Sequence, residues 1–306
     1  MQGKDLLSIL DLSSQDINRI IHRAHQMTTE PVGPVLVGKA VALLFEKPSL
    51  RTKASFHVAV HQLGGYSFYM GPDEVGLGRR EAVSDVARVL SRYVDCIVAR
   101  VFAHASLEEL GKYASAPVIN ALSDWEHPCQ TLADLQTIYE HKGKLEGLKI
   151  VFIGDGNNVA RSLCLGAASV GANFAIASPQ GYSLDEETLK QARRRASAWN
   201  AEVISLASPQ EALTGADVAY TDVWTSMGQE AESEVRRRAF KGYTVDRALL
   251  SCARQDALLM HPMPAHYGEE VPPGMLEHPQ SVAFDQAENR LHAQKAILEL
   301  IMEDRG

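Results

Sequence analysis

The sequence predicts an α/β protein: two doubly wound parallel-sheet domains, with a C-terminal helix packing back on the first. Two observations carry this. Short aliphatic or β-branched runs alternate with helical patterns along the whole chain, which is the signature of parallel βα units. At 306 residues, 45% of them hydrophobic, the chain is long enough for two cores at roughly 100–200 residues per domain. In the first half, strands are expected at Val41–Phe45, Tyr66–Tyr69, Cys96–Ala99 and Val118–Asn120, with a helix over Ala82–Tyr93 among the intervening segments. A further helix opens at His127-Pro128, where proline suits the first helical position, and runs on through Leu132, Leu135 and Ile138. The polar stretch from Glu140 to Gly147 marks the domain boundary, giving residues 1–140 plus the terminal helix 285–306 against 148–284. In the second half, strands are expected at Leu148–Ile153, Phe174–Ala177, Glu202–Ser205, Val218–Thr221 and Ala257–Met260. The last helix is expected to open on the capping-box pattern Asp285-Gln286-Ala287-Glu288.

A net charge of −8 argues against general affinity for nucleic acid or anionic membrane. Within that acidic background residues 47–100 are locally basic, carrying Lys47, Arg51, Lys53, Arg79, Arg80, Arg88, Arg92 and Arg100. Such a concentration of cations points to a small anion. Cys96, Cys129, Cys164 and Cys252 are widely spaced, with no Cys-x-x-Cys pair, and read as reduced, mostly buried thiols. The N-terminus lacks a signal-peptide core and no apolar run would span a bilayer, so a cytoplasmic protein is expected. No cluster has metal-ligand spacing, and neither a metal nor an organic cofactor is expected.

The segment Phe45-Glu46-Lys47-Pro48-Ser49-Leu50-Arg51-Thr52-Lys53 is the most informative. A strand ends, proline stops it, and hydroxyls and cations crowd the entry to a helix whose first-turn N–H groups already favour an anion. Ser49 and Thr52 offer hydroxyl donors, and Arg51 offers a planar fork for phosphate oxygens. Taken alone, the segment reads as a phosphate seat or as an ordinary capped helix. Four more segments follow expected strands, where open α/β sheets place ligands. Arg100 ends Cys96–Ala99. His127-Pro128-Cys129-Gln130 opens a helix. Asp222 to Gly228, spaced Asp-x-x-x-Ser-Met-Gly, suits an amino acid, the carboxylate taking its ammonium group. His261-Pro262-Met263-Pro264 is a rigid loop, either a site or a stiff connector. Gly154-Asp155-Gly156-Asn157-Asn158 invites a nucleotide-binding reading, but the third glycine is missing and no acidic residue closes a next strand, which weakens a nicotinamide dehydrogenase.

Taken in order, these segments resemble the aspartate/ornithine carbamoyltransferase family, on its ornithine side. The likeness runs from Leu6-Leu7-Ser8 to Ala293-Gln294-Lys295-Ala296-Ile297. It includes Ala87-Arg88-Val89-Leu90-Ser91-Arg92-Tyr93, Tyr220-Thr221-Asp222-Val223-Trp224 and Ala287-Glu288-Asn289-Arg290. The resemblance implies that carbamoyl phosphate binds through Ser49, Leu50, Arg51, Thr52, Gly76, Arg100, His127, Pro128, Cys129, Gln130, Pro262, Met263 and Arg290. Thr52, Arg100 and His127 would carry the catalysis. Asn158, Asp222, Ser226 and Met227 would hold ornithine. It also implies a homotrimer, or a multiple of one, with sites at subunit borders. The chain departs from the family pattern at Leu50, where threonine is usual, and at Gly76, where glutamine or histidine is usual; Arg79 or Arg80 is the expected substitute donor. It departs again at Pro262, where the family's ornithine enzymes carry cysteine. A different amine acceptor, such as putrescine or acetylornithine, and a non-catalytic binding protein stay open as alternatives.

Overall fold

The computed structural model describes residues 1, 3–30, 32–226 and 228–302. The chain divides into two compact units, Met1–Gln136 with residues from Asn289 onward, and Thr137–Glu288. The border between them falls inside the helix Pro128–Lys142.

The first unit is built on four parallel strands, β1 (Ala40–Phe45), β2 (Tyr66–Met70), β3 (Cys96–Arg100) and β4 (Val118–Leu122), in the order β2-β1-β3-β4. The register sets Phe45, the last residue of β1, beside Arg100, the last of β3. β1 and β3 are central and buried on both faces, so their sequences, up to Arg100 at the end of β3, are continuously apolar rather than alternating. Ala42, Leu44, Ile97, Ala99 and Val118 pack there with Ala87, Leu90, Leu107 and Leu110. The chain leaves β1 toward β2 on one side and returns to β3 on the other. The carboxyl ends of β1 and β3 therefore flank the switch point where such sheets open a crevice for ligands. The N-terminal segment extends the sheet past β4: Leu6 bridges Ile119, Leu6 N donates to the Val118 carbonyl and Asn120 N donates back to that of Leu6.

The second unit holds five parallel strands, β5 (Lys149–Ile153), β6 (Asn173–Ala177), β7 (Val203–Leu206), β8 (Val218–Thr221) and β9 (Leu258–Met260), in the order β7-β6-β5-β8-β9. Its switch point lies between β5 and β8, which are joined by register pairs ending at Ile153 and Thr221. The core gathers Val151, Ile153, Ala219 and Leu259 with the aromatic cluster Trp224, Phe240 and Tyr243. Phe240 stacks on Trp224 at 5.4 Å between ring centroids.

Two element boundaries correct the sequence reading. The terminal helix spans Ala283–Met302, so Asp285 lies inside it and is not its cap. The start is drawn back because the Val282 carbonyl accepts from Gln286 N at 2.8 Å, while Asp285 is engaged with His141 Nε2 at 3.0 Å. The helix expected over Ala82–Tyr93 ends at Leu90, where Ser91 caps it and its Oγ donates to the Ala87 carbonyl. The terminal helix does pack back on the first unit. Arg23 grips Glu299 through Nε at 2.5 Å and Nη2 at 2.7 Å, and Lys295 Nζ reaches the Met27 carbonyl.

Candidate active site

In the first unit, Ser49 leaves β1 in an extended conformation and caps the helix Leu50–Gln62, its Oγ accepting from Thr52 N at 3.4 Å. Thr52, buried, accepts on Oγ1 from Ser49 Oγ at 3.0 Å and from Arg290 Nη2 at 2.5 Å. With two donors on that oxygen, the hydroxyl hydrogen of Thr52 remains to be donated elsewhere.

Around this cap the fold gathers positive charge. Lys47, Arg100, His127 and Arg290 are all buried, and Arg51 is half-buried. Burial, together with the neighbouring charges of Arg290 and Arg51, pushes the Arg100 guanidinium down to about 10. Burial also holds His127 well below its ordinary range, reinforced by Arg290, Arg100 and Lys47, so its imidazole is a neutral N–H donor at physiological pH. Lys47 is lowered by burial and by Arg100, its ammonium lying 4.7 Å from the centre of the Phe102 ring. Among the described residues no carboxylate is ion-paired with Lys47, Arg51 or Arg100. Cations brought together this way repel one another, and an arrangement of this kind is stable when an anion joins them. Arg100 Nε is buried without a hydrogen-bond partner, a donor waiting for an acceptor. Gln130 donates through Nε2 to Asp134 at 2.8 Å and leaves Oε1 buried and unbonded. The set can therefore meet a polyanion with many donors and a neighbouring N–H group with one acceptor.

Leu50 is 81% exposed. Pro128 is buried, and the Cys129 thiol points away, donating to the Asn120 carbonyl at 3.4 Å; burial pushes it up to about 12. Gly76 ends the short helix Pro72–Val75 with φ of 48°, a left-handed conformation that favours glycine, and Arg79 and Arg80 follow it exposed. No described contact joins these three to the cation cluster. Lys47 is the residue the sequence reading missed as a site member: it was legible only as one charge in a basic run, because burial is not written in composition.

The second unit presents a different chemistry at its own switch point. Asp222, directly after β8, is buried; Oδ2 accepts from Asn157 Nδ2 at 2.8 Å and Oδ1 from Val223 N at 2.8 Å. Burial raises its pKa, opposed by His261, by the Asn157 hydrogen bond and by that from Val223. Asn158 begins the helix Asn158–Ser169, which Asn157 caps. Ser226 is half-buried, and its N donates to Gln229 Oε1 at 3.2 Å. Met227 lies outside the described residues. His261 is fully buried. Its N donates to Gln286 Oε1, its Nδ1 accepts from Met263 N at 2.9 Å, and its Nε2 therefore donates to Glu270 at 3.1 Å. This ring fixes the Pro262–Met263 backbone, in which Met263 takes a φ of 51°. Arg236, also unforeseen, ties the two edges of the switch point together. Its Nη1 lies 3.1 Å from Asp155 after β5 and 2.9 Å from the Trp224 carbonyl after β8.

Gly154-Asp155-Gly156 is not a dinucleotide turn. A Cβ on Gly156 would lie 2.5 Å from the backbone of Ser183 and Leu184, so its glycine serves a close crossing of two chain segments.

Comparison with known proteins decides the family. Residues 4–140 match the carbamoyl-P binding domain of aspartate/ornithine carbamoyltransferase, and residues 146–301 match the Asp/Orn binding domain. The chain belongs to the aspartate/ornithine carbamoyltransferase family. This carbamoyltransferase is 49% identical over 306 residues to the ornithine carbamoyltransferase of Thermococcus kodakarensis, covering 99% of the chain and 97% of that protein. It is 47% identical to the anabolic ornithine carbamoyltransferase of Pyrococcus furiosus, with 99% and 97% covered. A solved structure of ornithine carbamoyltransferase from Pyrococcus furiosus superposes with a TM-score of 0.94 at 48% identity, covering 98% of this chain and 97% of that one. Among the described residues of the carbamoyltransferase, no helix is long and apolar enough to cross a membrane.

Proposed function

We propose that the protein transfers the carbamoyl group of carbamoyl phosphate to the δ-amine of ornithine, giving citrulline and phosphate in the biosynthetic direction of arginine metabolism. The observation that carries this reading is the cation cluster of Lys47, Arg51, Arg100, His127 and Arg290 around a serine-capped helix N-terminus. Ser49, Arg51 and the first-turn N–H groups hold the phosphate. Thr52, Arg100 and neutral His127 donate to the carbonyl oxygen, where negative charge develops as the amine attacks; each such donor is worth about 2.7–4 kcal/mol of barrier. Gln130 Oε1 accepts from the carbamoyl NH2. Pro128, Cys129, Leu50, Pro262 and Met263 contribute backbone only. Gly76 belongs to a segment that serves a neighbouring subunit, with Arg79 or Arg80 supplying the donor that Gly76 lacks.

Asp222 takes the α-ammonium of ornithine, and Asn158, Ser226 and Met227 complete its seat. Aspartate is disfavoured, since a buried carboxylate at 222 repels a second negative charge. The two buried arginines of the second unit are also already paired, Arg161 with Asp185 at 2.7 Å and Arg236 with Asp155 at 3.1 Å. The attacking amine must lose a proton after the carbon–nitrogen bond forms. Pro262 carries no thiol to accept it, and the departing phosphate dianion is the acceptor. Family likeness supports a homotrimer, or a multiple of one, in the cytoplasm. The test is citrulline formation by the purified protein, with putrescine, acetylornithine and aspartate as competing acceptors. Carbamoylation of any of these in preference to ornithine overturns the reading.

A further inference from the structure

His127 is held from its carboxyl side by the helix it opens, its carbonyl accepting from Gln130 N and Thr131 N. What holds it from the amino side is less ordinary. Its neighbour Glu126 is 1% exposed, and both carboxylate oxygens are bound by the N-terminal turn of the chain: Oε1 by Ser8 Oγ at 2.5 Å and Oε2 by Ile9 N at 3.0 Å. The Glu126 backbone is fixed as well. Its N donates to Ser123 Oγ at 3.1 Å, and its carbonyl accepts from Ser123 N at 3.0 Å and from Asn120 Nδ2 at 3.5 Å. The same Asn120 amide donates to the Leu7 carbonyl at 2.8 Å, so residues 7–9 and the turn before His127 form one hydrogen-bonded body.

We propose that Glu126 is a positioning residue for His127, and that the N-terminal turn at Ser8 and Ile9 is its anchor. The inference rests on the carbamoyl-transfer reading above, in which the His127 ring meets the carbonyl oxygen. A buried carboxylate next to that ring is a costly choice if packing alone were needed, because an apolar side chain would fill the same volume without desolvating a charge. It does supply two directed acceptors that a side chain of hydrocarbon lacks. Releasing them lets the 123–127 turn relax, and a displacement of about 1 Å at a reacting group costs on the order of 100-fold in rate.

The experiment compares Glu126→Ala, Glu126→Gln and Ser8→Ala with wild type in steady-state citrulline formation. Thermal melting and NMR of the histidine ring resonances without substrate accompany it. Glu126→Ala is expected to lower kcat roughly 10- to 100-fold, while the KM for carbamoyl phosphate moves less than about threefold, because Ser49, Arg51 and the helix N-terminus still hold the phosphate. Glu126→Gln keeps an acceptor for Ile9 N and a partner for Ser8 Oγ, and is expected to restore most of the rate. The His127 ring resonances should move in Glu126→Ala and stay in place in Glu126→Gln. If Glu126→Ala does not fold, Ser8→Ala carries the same test with a smaller loss of kcat. A lowered melting temperature with unchanged kcat and unmoved His127 resonances overturns the proposal, as does equal loss in the alanine and glutamine variants. Wild-type protein that forms no citrulline overturns the transfer reading instead, and the NMR arm then still judges Glu126.

Discussion

Arg290 donates through Nη2 to Thr52 Oγ1 at 2.5 Å, across 238 residues of sequence. One partner lies in the first turn after β1 and the other in the terminal helix, so the helix both closes the first unit and completes its cation cluster. Arg290→Ala should leave the fold in place and lower kcat/KM for carbamoyl phosphate about 100-fold or more, since it removes a cation and frees the Thr52 hydroxyl. Arg51→Ala should act at least as strongly. Initial rates at fixed ornithine check both, and near-normal turnover in either variant would refute the phosphate seat.

Asp222 gives a prediction with a definite sign. Only its carboxylate form attracts an ammonium group, and burial lifts its folded pKa above the ordinary 3.8. The KM for ornithine should therefore rise as pH falls toward that raised value, while the KM for carbamoyl phosphate changes less. Stability should show the complementary trend. Between 3.8 and the raised folded value, the native state keeps a proton that the unfolded chain releases. The burial cost accordingly grows as pH rises through that window and is complete above it. Asp222→Asn should thus be the more stable protein near neutrality, with no advantage below pH 3.8. Chemical denaturation at several pH values reads this, and a pH-independent ornithine KM counts against the assignment.

The thiols should be dispensable. Cys96, Cys129 and Cys164 are buried free thiols pushed upward in pKa by burial, which makes them poor nucleophiles. Cys252, partly exposed in the second unit, is the one described thiol open to reagent. Iodoacetamide should label Cys252 alone, as peptide mass spectrometry would show, and leave citrulline formation unchanged. Rapid inactivation that ornithine alone prevents would contradict the role given to Pro262.

Gly156→Ala tests whether the glycine pair after β5 is structural. The added methyl would meet backbone atoms of Ser183 and Leu184 at 2.5 Å, where no flexible side chain can yield. A loss of at least about 1–3 kcal/mol is expected from overpacking. Asn157 and Asn158 follow directly, so the ornithine KM should rise with it. A melting temperature equal to wild type would show that the 183–184 segment moves aside without cost.

What the sequence by itself determined is local. Aliphatic runs marked the central strands such as β1 and β5, because burial on both faces demands continuous apolar residues, while aromatic or β-branched residues marked the more open β2 and β7. Ser49 and Pro128 marked helix starts, because a cap or a first-turn proline is a requirement of nearby backbone. Where neighbours compete the local signal misled: Asp285 resembles a cap, yet it is bound to His141 and the helix begins before it. Lys47 and Arg51 share one stretch of sequence, but Arg100, His127 and Arg290 stand in three others, and nothing local says that their charges share one place. Only the strand order β2-β1-β3-β4, with the terminal helix folded back on it, brings them together. Likewise Glu126, Arg236 and Glu270 carry no motif, because what each does depends on a partner supplied by another segment. Burial and long-range pairing decide charge state and direction, and these are properties of the folded chain alone.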